Sequence, residues 1–121
     1  LQASKQPVPP PVHSALESVG PGPALVSLRF PLAYPAGPAP FYSVTGPATR
    51  GQELEQWQVI KSAASDAIIE MGGTITHHHA VGRDHAPWYR HEQDPLYLES
   101  LRAMKRTLDP LGVLNPGVLF G

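Results

Sequence analysis

The sequence contains no cysteine. Disulfides, thiolate metal sites and a cysteine nucleophile are therefore excluded, and the cytosol is the default compartment. Charge is sparse: Asp, Glu, Lys and Arg make up 16% of the 121 residues, against about 25% in an ordinary soluble domain. It is also nearly balanced, at −1, so no basic stripe stands ready to neutralise a nucleic-acid backbone. The longest basic cluster, Arg102, Lys105 and Arg106, reads as favourable charge at the end of a helix. No apolar run approaches the roughly 18 residues of a membrane-span candidate. The chain begins at Leu1 rather than at a methionine, and it is expected to be a piece of a longer protein.

Proline is what the sequence has in excess. There are 15 prolines and 11 glycines, just short of the roughly 25–30% combined share that marks disorder. The prolines are concentrated before Pro47, so the two halves differ in kind. Residues 1–20 include Gln6-Pro7-Val8-Pro9-Pro10-Pro11, which favours extended polyproline II and supplies few backbone donors. This segment reads as a linker or surface arm, and residues 21–121 as the domain proper.

Within the domain, Ala24 to Phe30 alternates, with Leu28 and Phe30 on one face and Ser27 and Arg29 on the other, as in a strand with one wet side. Tyr34-Pro35-Ala36-Gly37 is a turn signal. Phe41-Tyr42-Ser43-Val44 reads as the returning strand, with a longish connection because Pro38 and Pro40 delay pairing. Leu54, Trp57, Ile60, Ala64, Ile68 and Met71 recur at intervals of three and four, which predicts a helix from about Gln52 to Met71 with one apolar stripe. Thr49 and Gln52 have capping-box spacing, and Gly72-Gly73 supplies the stop. Thr74-Ile75-Thr76 is expected as a short strand. Asp94-Pro95 announces a last helix, N-cap then proline, running to Leu108 with Leu98, Leu101, Met104 and Leu108 inward. The expected fold class is α+β: a small antiparallel sheet, hairpin plus short strand, packed by two main helices. Such a sheet leaves an apolar face uncovered unless material from elsewhere completes it.

The chemistry concentrates in Thr76-His77-His78-His79-Ala80-Val81-Gly82-Arg83-Asp84-His85. Imidazole suits proton transfer near neutral pH. If extended geometry persists past Thr76, His77 and His79 point to one side and His78 to the other. A solvated loop with no role is the alternative of equal weight. A metal site is less favoured: His77, His79 and His85 offer nitrogens, but no carboxylate or further histidine stands at a recognised ligand spacing. Tyr34, at a strand end beside a turn, could project a phenol into a cleft, although a packing role is commoner. Arg29 and Arg83 could bind an anion, though singly they read as surface charges.

The run from Gly72 to Gly82 resembles the C-terminal signature of FAD-linked oxidases of the vanillyl-alcohol oxidase type. Within that superfamily it most resembles alkyldihydroxyacetonephosphate synthase and its bacterial homologues. The resemblance extends from about Ala24 to Phe120. It takes in Arg29, the Tyr34-Pro35-Ala36-Gly37 turn, Phe41-Tyr42, Pro87-Trp88, and the closing Leu108-Asp109-Pro110 to Asn115-Pro116-Gly117. Relatives that oxidise D-2-hydroxy acids usually continue Gly-Glu-His-Gly after the position of Thr76, so His77 and His78 favour the synthase branch. Ala80 departs from the glycine usual in the synthases. No histidine occurs over residues 23–42, where many of the dehydrogenases carry metal ligands, and no metal is expected.

The resemblance implies part of a cap domain facing substrate and flavin. It implies exchange of the acyl chain of acyl-dihydroxyacetone phosphate for a long-chain alcohol, with FAD-dependent D-2-hydroxy-acid dehydrogenation as the alternative. A partner-binding module with solvated histidines is the non-enzymatic alternative. By resemblance Tyr34, His77, His78 and His79 are catalytic, His78 first among them for proton transfer. Arg29, Arg83 and Asn115 bind substrate or cofactor. FAD is expected to be held mainly by an N-terminal domain absent from this chain. That domain is the expected partner, together with a small-molecule or lipid-like substrate. By itself the chain is expected to be inactive and prone to self-association.

Overall fold

The computed structural model describes residues 22–35, 37–76 and 79–120. The proline-rich arm expected over 1–20 lies outside the described residues, as do His77 and His78. Among the described residues, two antiparallel strands and three helices make an α+β arrangement: β1 (Leu25–Tyr34), β2 (Gly37–Thr45), α1 (Glu53–Glu70), α2 (Ala86–Glu92) and α3 (Pro95–Leu108). The chain divides into two compact units between Ala64 and Ser65, within α1.

The hairpin is longer and its turn tighter than the prolines suggested. Tyr34 pairs with Gly37, leaving only Pro35 and Ala36 between the paired ends. Gly37 takes φ +134°, a backbone region that side chains disfavour. The register runs from Leu25↔Thr45 to Arg29↔Phe41, then shifts before Leu32↔Ala39. Phe30 and Pro31 thus stand against Pro40 alone, and two residues that cannot donate to a ladder fall at its irregularity. Pro38 is tolerated in the paired region because every strand of a two-stranded sheet has an unpaired side. Val26 and Leu28 are half-buried between exposed neighbours, as alternation requires. Phe30, expected on the face of Leu28, is instead 44% exposed, because the shift after Arg29 breaks the alternation.

At the start of α1 the side-chain exchange joins Thr49 to Gln56 rather than to Gln52. The Thr49 amide donates to Gln56 Oε1 at 2.8 Å, and Gln56 Nε2 donates to Thr49 Oγ1 at 3.3 Å. The helix ends as its glycines demand. Gly72 has φ +73°, its N–H bonds Ile69 O at 2.9 Å, and the N–H of Gly73 bonds Ile68 O at 2.8 Å, a Schellman pair. A Cβ on Gly73 would meet Ile68 Cγ2 at 3.0 Å.

The apolar stripe read along α1 does not form a core. Leu54 is 82% exposed, Trp57 50% and Met71 64%, while Gln56, Ser65 and Ala67 are buried. In α3, Leu98 is buried as expected, but Met104 and Leu108 are exposed. Spacing says which face of a helix favours burial, not whether this chain has the material to cover it. The short strand expected at Thr74-Ile75-Thr76 is also absent: these residues are irregular, and the Ile75 amide bonds the Glu92 carboxylate at 3.0 Å instead of a strand. Helix α2 went unread because seven residues hold too little periodicity to register. Among the described residues the buried apolar ones are Ala67, Ile75, Ala86 and Leu98, all in the unit from Ser65 onward.

Candidate functional site

The histidine loop leaves α1 at Gly72-Gly73 and is pinned at both ends. Ile75 is buried and tied to Glu92 through its amide. Thr74 Oγ1 donates to Thr76 O at 3.0 Å, and Thr76 Oγ1 donates to His79 O at 2.7 Å. Further along, the His85 amide bonds Val81 O at 3.2 Å and Ala86 N bonds Arg83 O at 3.3 Å, which leads the chain into α2. His79 is exposed. Side-chain bonds before the histidines and backbone bonds after them thus hold the chain on either side and leave His79 presented at the surface.

Helix α2 fastens this region to α1 within the same unit. Trp88 Nε1 donates to Asp66 Oδ1 at 2.7 Å. Burial pushes the Tyr89 phenol above its ordinary pKa, reinforced by its hydrogen bond with Tyr97 and by the charges of Tyr97 and Glu92. Tyr89 therefore stays protonated at neutral pH and serves as a hydrogen-bonding group, not a base.

The closing segment after α3 is organised by one carboxylate. Asp109 is buried. Its Oδ1 accepts from the Val113 amide and its Oδ2 from the Leu114 amide, both at 2.9 Å. Lys105 pairs with Oδ2 and also donates to Leu114 O at 2.6 Å. The hydrogen bond from Lys105 holds the Asp109 carboxyl below the usual range. Desolvation opposes this, and the Leu114 and Val113 amides assist it. Beyond the knot the chain takes left-handed backbone at Asn115 (φ 46°), Gly117 (φ 72°) and Leu119 (φ 64°). For a leucine that conformation is strained. Arg83 Nη2 donates to Pro116 O at 2.8 Å, so the end of the histidine loop clamps this tail. An open cavity of about 360 Å³ lies along the tail, with Asn115, Asp109 and Phe120 in its wall.

Of the residues singled out from the sequence, Arg83 and the Asn115 turn are brought together, and His79 lies on the loop that Arg83 ends. Tyr34 and Arg29 belong to the hairpin. Tyr34 is 47% exposed at the last pair before the turn, and Arg29 is exposed beside the register shift. Sequence reasoning placed Asp109 only within the closing segment of the resemblance and missed its role. The available signal was a carboxylate at the helix end, four residues after Lys105. Among the described residues no group of three or more His, Asp or Glu side chains converges as metal ligands would. Nor is any helix there long and apolar enough to cross a membrane.

Residues 33–119 match the family described as FAD linked oxidases, C-terminal domain. The chain is 27% identical over 98 residues to alkyldihydroxyacetonephosphate synthase of Dictyostelium discoideum, covering 81% of this chain and 16% of that protein. It is 37% identical over 93 residues to alkyldihydroxyacetonephosphate synthase of Caenorhabditis elegans, covering 75% and 15%. It is 34% identical over 68 residues to glycolate oxidase subunit GlcD of Bacillus subtilis (strain 168), covering 56% and 14%. The chain therefore spans about a sixth or less of the length of these curated relatives. No solved structure matches it. The described residues do not by themselves fit FAD. The two best-formed cavities among them are open clefts of about 260 and 360 Å³, at or below the low end for sites that bury even a drug-sized ligand. They offer a wall, not an enclosure.

Proposed function

The chain belongs to the family of FAD linked oxidases, C-terminal domain, and on that premise we propose that it is the substrate- and flavin-facing end of an FAD-dependent enzyme. The reaction we assign resembles that of alkyldihydroxyacetonephosphate synthase: exchange of acyl for alkyl on dihydroxyacetone phosphate. The observation that carries the reading is the extent of the family match. Residues 33–119 take in the Tyr34 turn, the histidine loop and the Arg83-clamped tail together. Similarity to two synthases over three quarters or more of this chain supports the substrate class.

In this reading Tyr34, His77, His78 and His79 handle protons on the substrate carbon and on the leaving and entering oxygens. Arg29 and Arg83 meet an anionic group, and Asn115 faces the cofactor. FAD is held mainly by an N-terminal domain, which also covers the apolar side chains exposed here, such as Leu54, Trp57, Leu108 and Leu111. Without that partner the chain does not turn over and tends to self-associate. The enzyme works in the cytoplasm on a small-molecule or lipid-like substrate.

Similarity to the glycolate oxidase subunit supports a second reading, FAD-dependent oxidation of D-2-hydroxy acids. One experiment separates the two. The longer polypeptide containing this chain is purified with FAD, and its visible spectrum is followed on adding acyl-dihydroxyacetone phosphate or D-lactate. The synthase reading expects bleaching by the acyl phosphate, with colour restored by a fatty alcohol and no electron acceptor. Bleaching by D-lactate, reversed only by an acceptor, moves the protein to the dehydrogenase branch. A protein that cannot be loaded with FAD overturns both.

A further inference from the structure

Four of the nine Lys and Arg residues in the chain line a single open cleft of about 260 Å³: Arg90, Arg102, Lys105 and Arg106, with Phe120. They come from the end of α2, one stretch of α3 and the tail. In a chain of net charge −1, that is a strong local excess of one sign. The ordinary account of basic residues at a helix end is interaction with the helix dipole. It covers Lys105 and Arg106, which lie in the last turn of α3. It covers Arg90 as well, in the last turn of α2, but not Arg102 further back, and it does not explain why two helices bring these charges to one cleft.

The cleft also divides its cations by task. Lys105 is occupied by Asp109 and by the Leu114 carbonyl, so one positive charge is cancelled within the fold. The other three are all arginine, and among the described residues none of them is paired with a carboxylate. Arg102 lies with its guanidinium carbon 5.5 Å from the centroid of the Phe120 ring, which orients that fork at little entropic cost. Arg102 and Arg106 stand four residues apart on α3, a spacing at which like charges repel. A dianion in the cleft turns that repulsion into attraction. Planar guanidinium forks match the oxygens of phosphate in pairs. A compact cluster of this size takes one such group, not the long charged track of a nucleic-acid backbone.

We propose that the Arg90–Arg102–Arg106 cleft binds the phosphate monoester of a ligand. The inference rests on the cleft alone and not on the function proposed above, whose substrate also carries such a group. Two sources share this chemistry, a soluble phosphate ester and the headgroup of a phosphatidic-acid-type lipid.

The test uses the full chain without flavin. Binding of glycerol 3-phosphate is followed by the arginine Nε–Hε resonances, and binding of phosphatidylcholine vesicles with or without phosphatidic acid by sedimentation. Saturable binding of glycerol 3-phosphate assigns a soluble ligand. Binding only to the phosphatidic-acid vesicles assigns a lipid headgroup. In either case Arg90→Gln and Arg106→Gln each weaken binding by at least about tenfold. Both positions are exposed, so these variants keep the helical signal. Arg106→Lys, which keeps charge but loses the fork, gives an intermediate loss, and Arg50→Gln, outside the cleft, gives none. Binding of neither probe overturns the proposal. So does binding that is indifferent to Arg90 and Arg106, or that acetate competes for equally well.

Discussion

The hairpin and the helical unit answer the same problem in opposite ways. From Ser65 onward the chain has a small core of Ala67, Ile75, Ala86 and Leu98 and a tail knotted by a single carboxylate. The hairpin has a ladder from Leu25↔Thr45 to Tyr34↔Gly37, interrupted once by the register shift after Arg29, and no fully buried side chain in either strand. A lone two-stranded sheet is marginal in water. Backbone pairing sets the shape of the hairpin, and packing against something further must supply most of its stability. The helical unit carries its own anchors, though several of its large apolar side chains, Leu96, Leu108 and Leu111 among them, are also uncovered.

The sharpest way to break this comparison is to remove the core residue of α3. Leu98→Ala should destabilise the helical unit by about 2–5 kcal/mol, read from its denaturant midpoint. A loss of the size expected at a surface site would mean that the core is not where stability resides. Asp109→Asn should do less to the helices and more to the tail. It leaves α3 in place but keeps only one acceptor oxygen and no charge for Lys105, so it frees one of the Val113 and Leu114 amides, which then loses hydrogen-exchange protection. The native carboxyl has a depressed pKa, so its contribution is present above the ordinary carboxylate value. It is lost as pH falls through the lowered one. The variant should lack that acid-side loss of tail protection. If acid acts on both alike, the knot does not hold the tail.

Smaller effects sharpen the contrast further. Asp94 accepts from the amides of Leu96 at 2.8 Å and Tyr97 at 3.3 Å. Asp94→Ala should therefore cost about 1 kcal/mol, measured by helix content against temperature. Leu25, 68% exposed in β1, should tolerate Leu25→Ala within about 0.5 kcal/mol in the isolated chain. The same change should cost more in the longer protein if a partner domain covers the hairpin. An equal effect in both would argue that the hairpin stands uncovered.

What the sequence made legible was local. The Gly72-Gly73 stop, the Asp94-Pro95 start and the α1 and α3 spans follow from capping and periodicity, which act within a few residues. The hairpin was legible as a pair but not in its register, because the consequence of Pro31 and Pro40 depends on how they fall opposite one another. The strand expected at Thr74-Ile75-Thr76 is not formed, since among the described residues no strand lies beside it to pair with. The stripe on α1 and the inward face expected on α3 were legible as spacing but not as burial, because periodicity carries no information about what lies opposite. Of the site, Arg83 and Asn115 were read as separate positions, and their meeting through Pro116 O joins residues 33 apart in sequence. Asp109 looked like punctuation because its partners lie on both sides of it, four residues back at Lys105 and four and five ahead at Val113 and Leu114.

The central claim is that this chain carries one side of a flavin enzyme's active site. It is tested most directly by Tyr34→Phe in the longer polypeptide loaded with FAD, following the rate at which substrate bleaches the flavin. The account predicts unchanged FAD content and a bleaching rate lower by about 100-fold or more, the scale of a lost acid–base group. An unchanged rate at full FAD content would contradict it, and would leave the hairpin turn a structural feature alone.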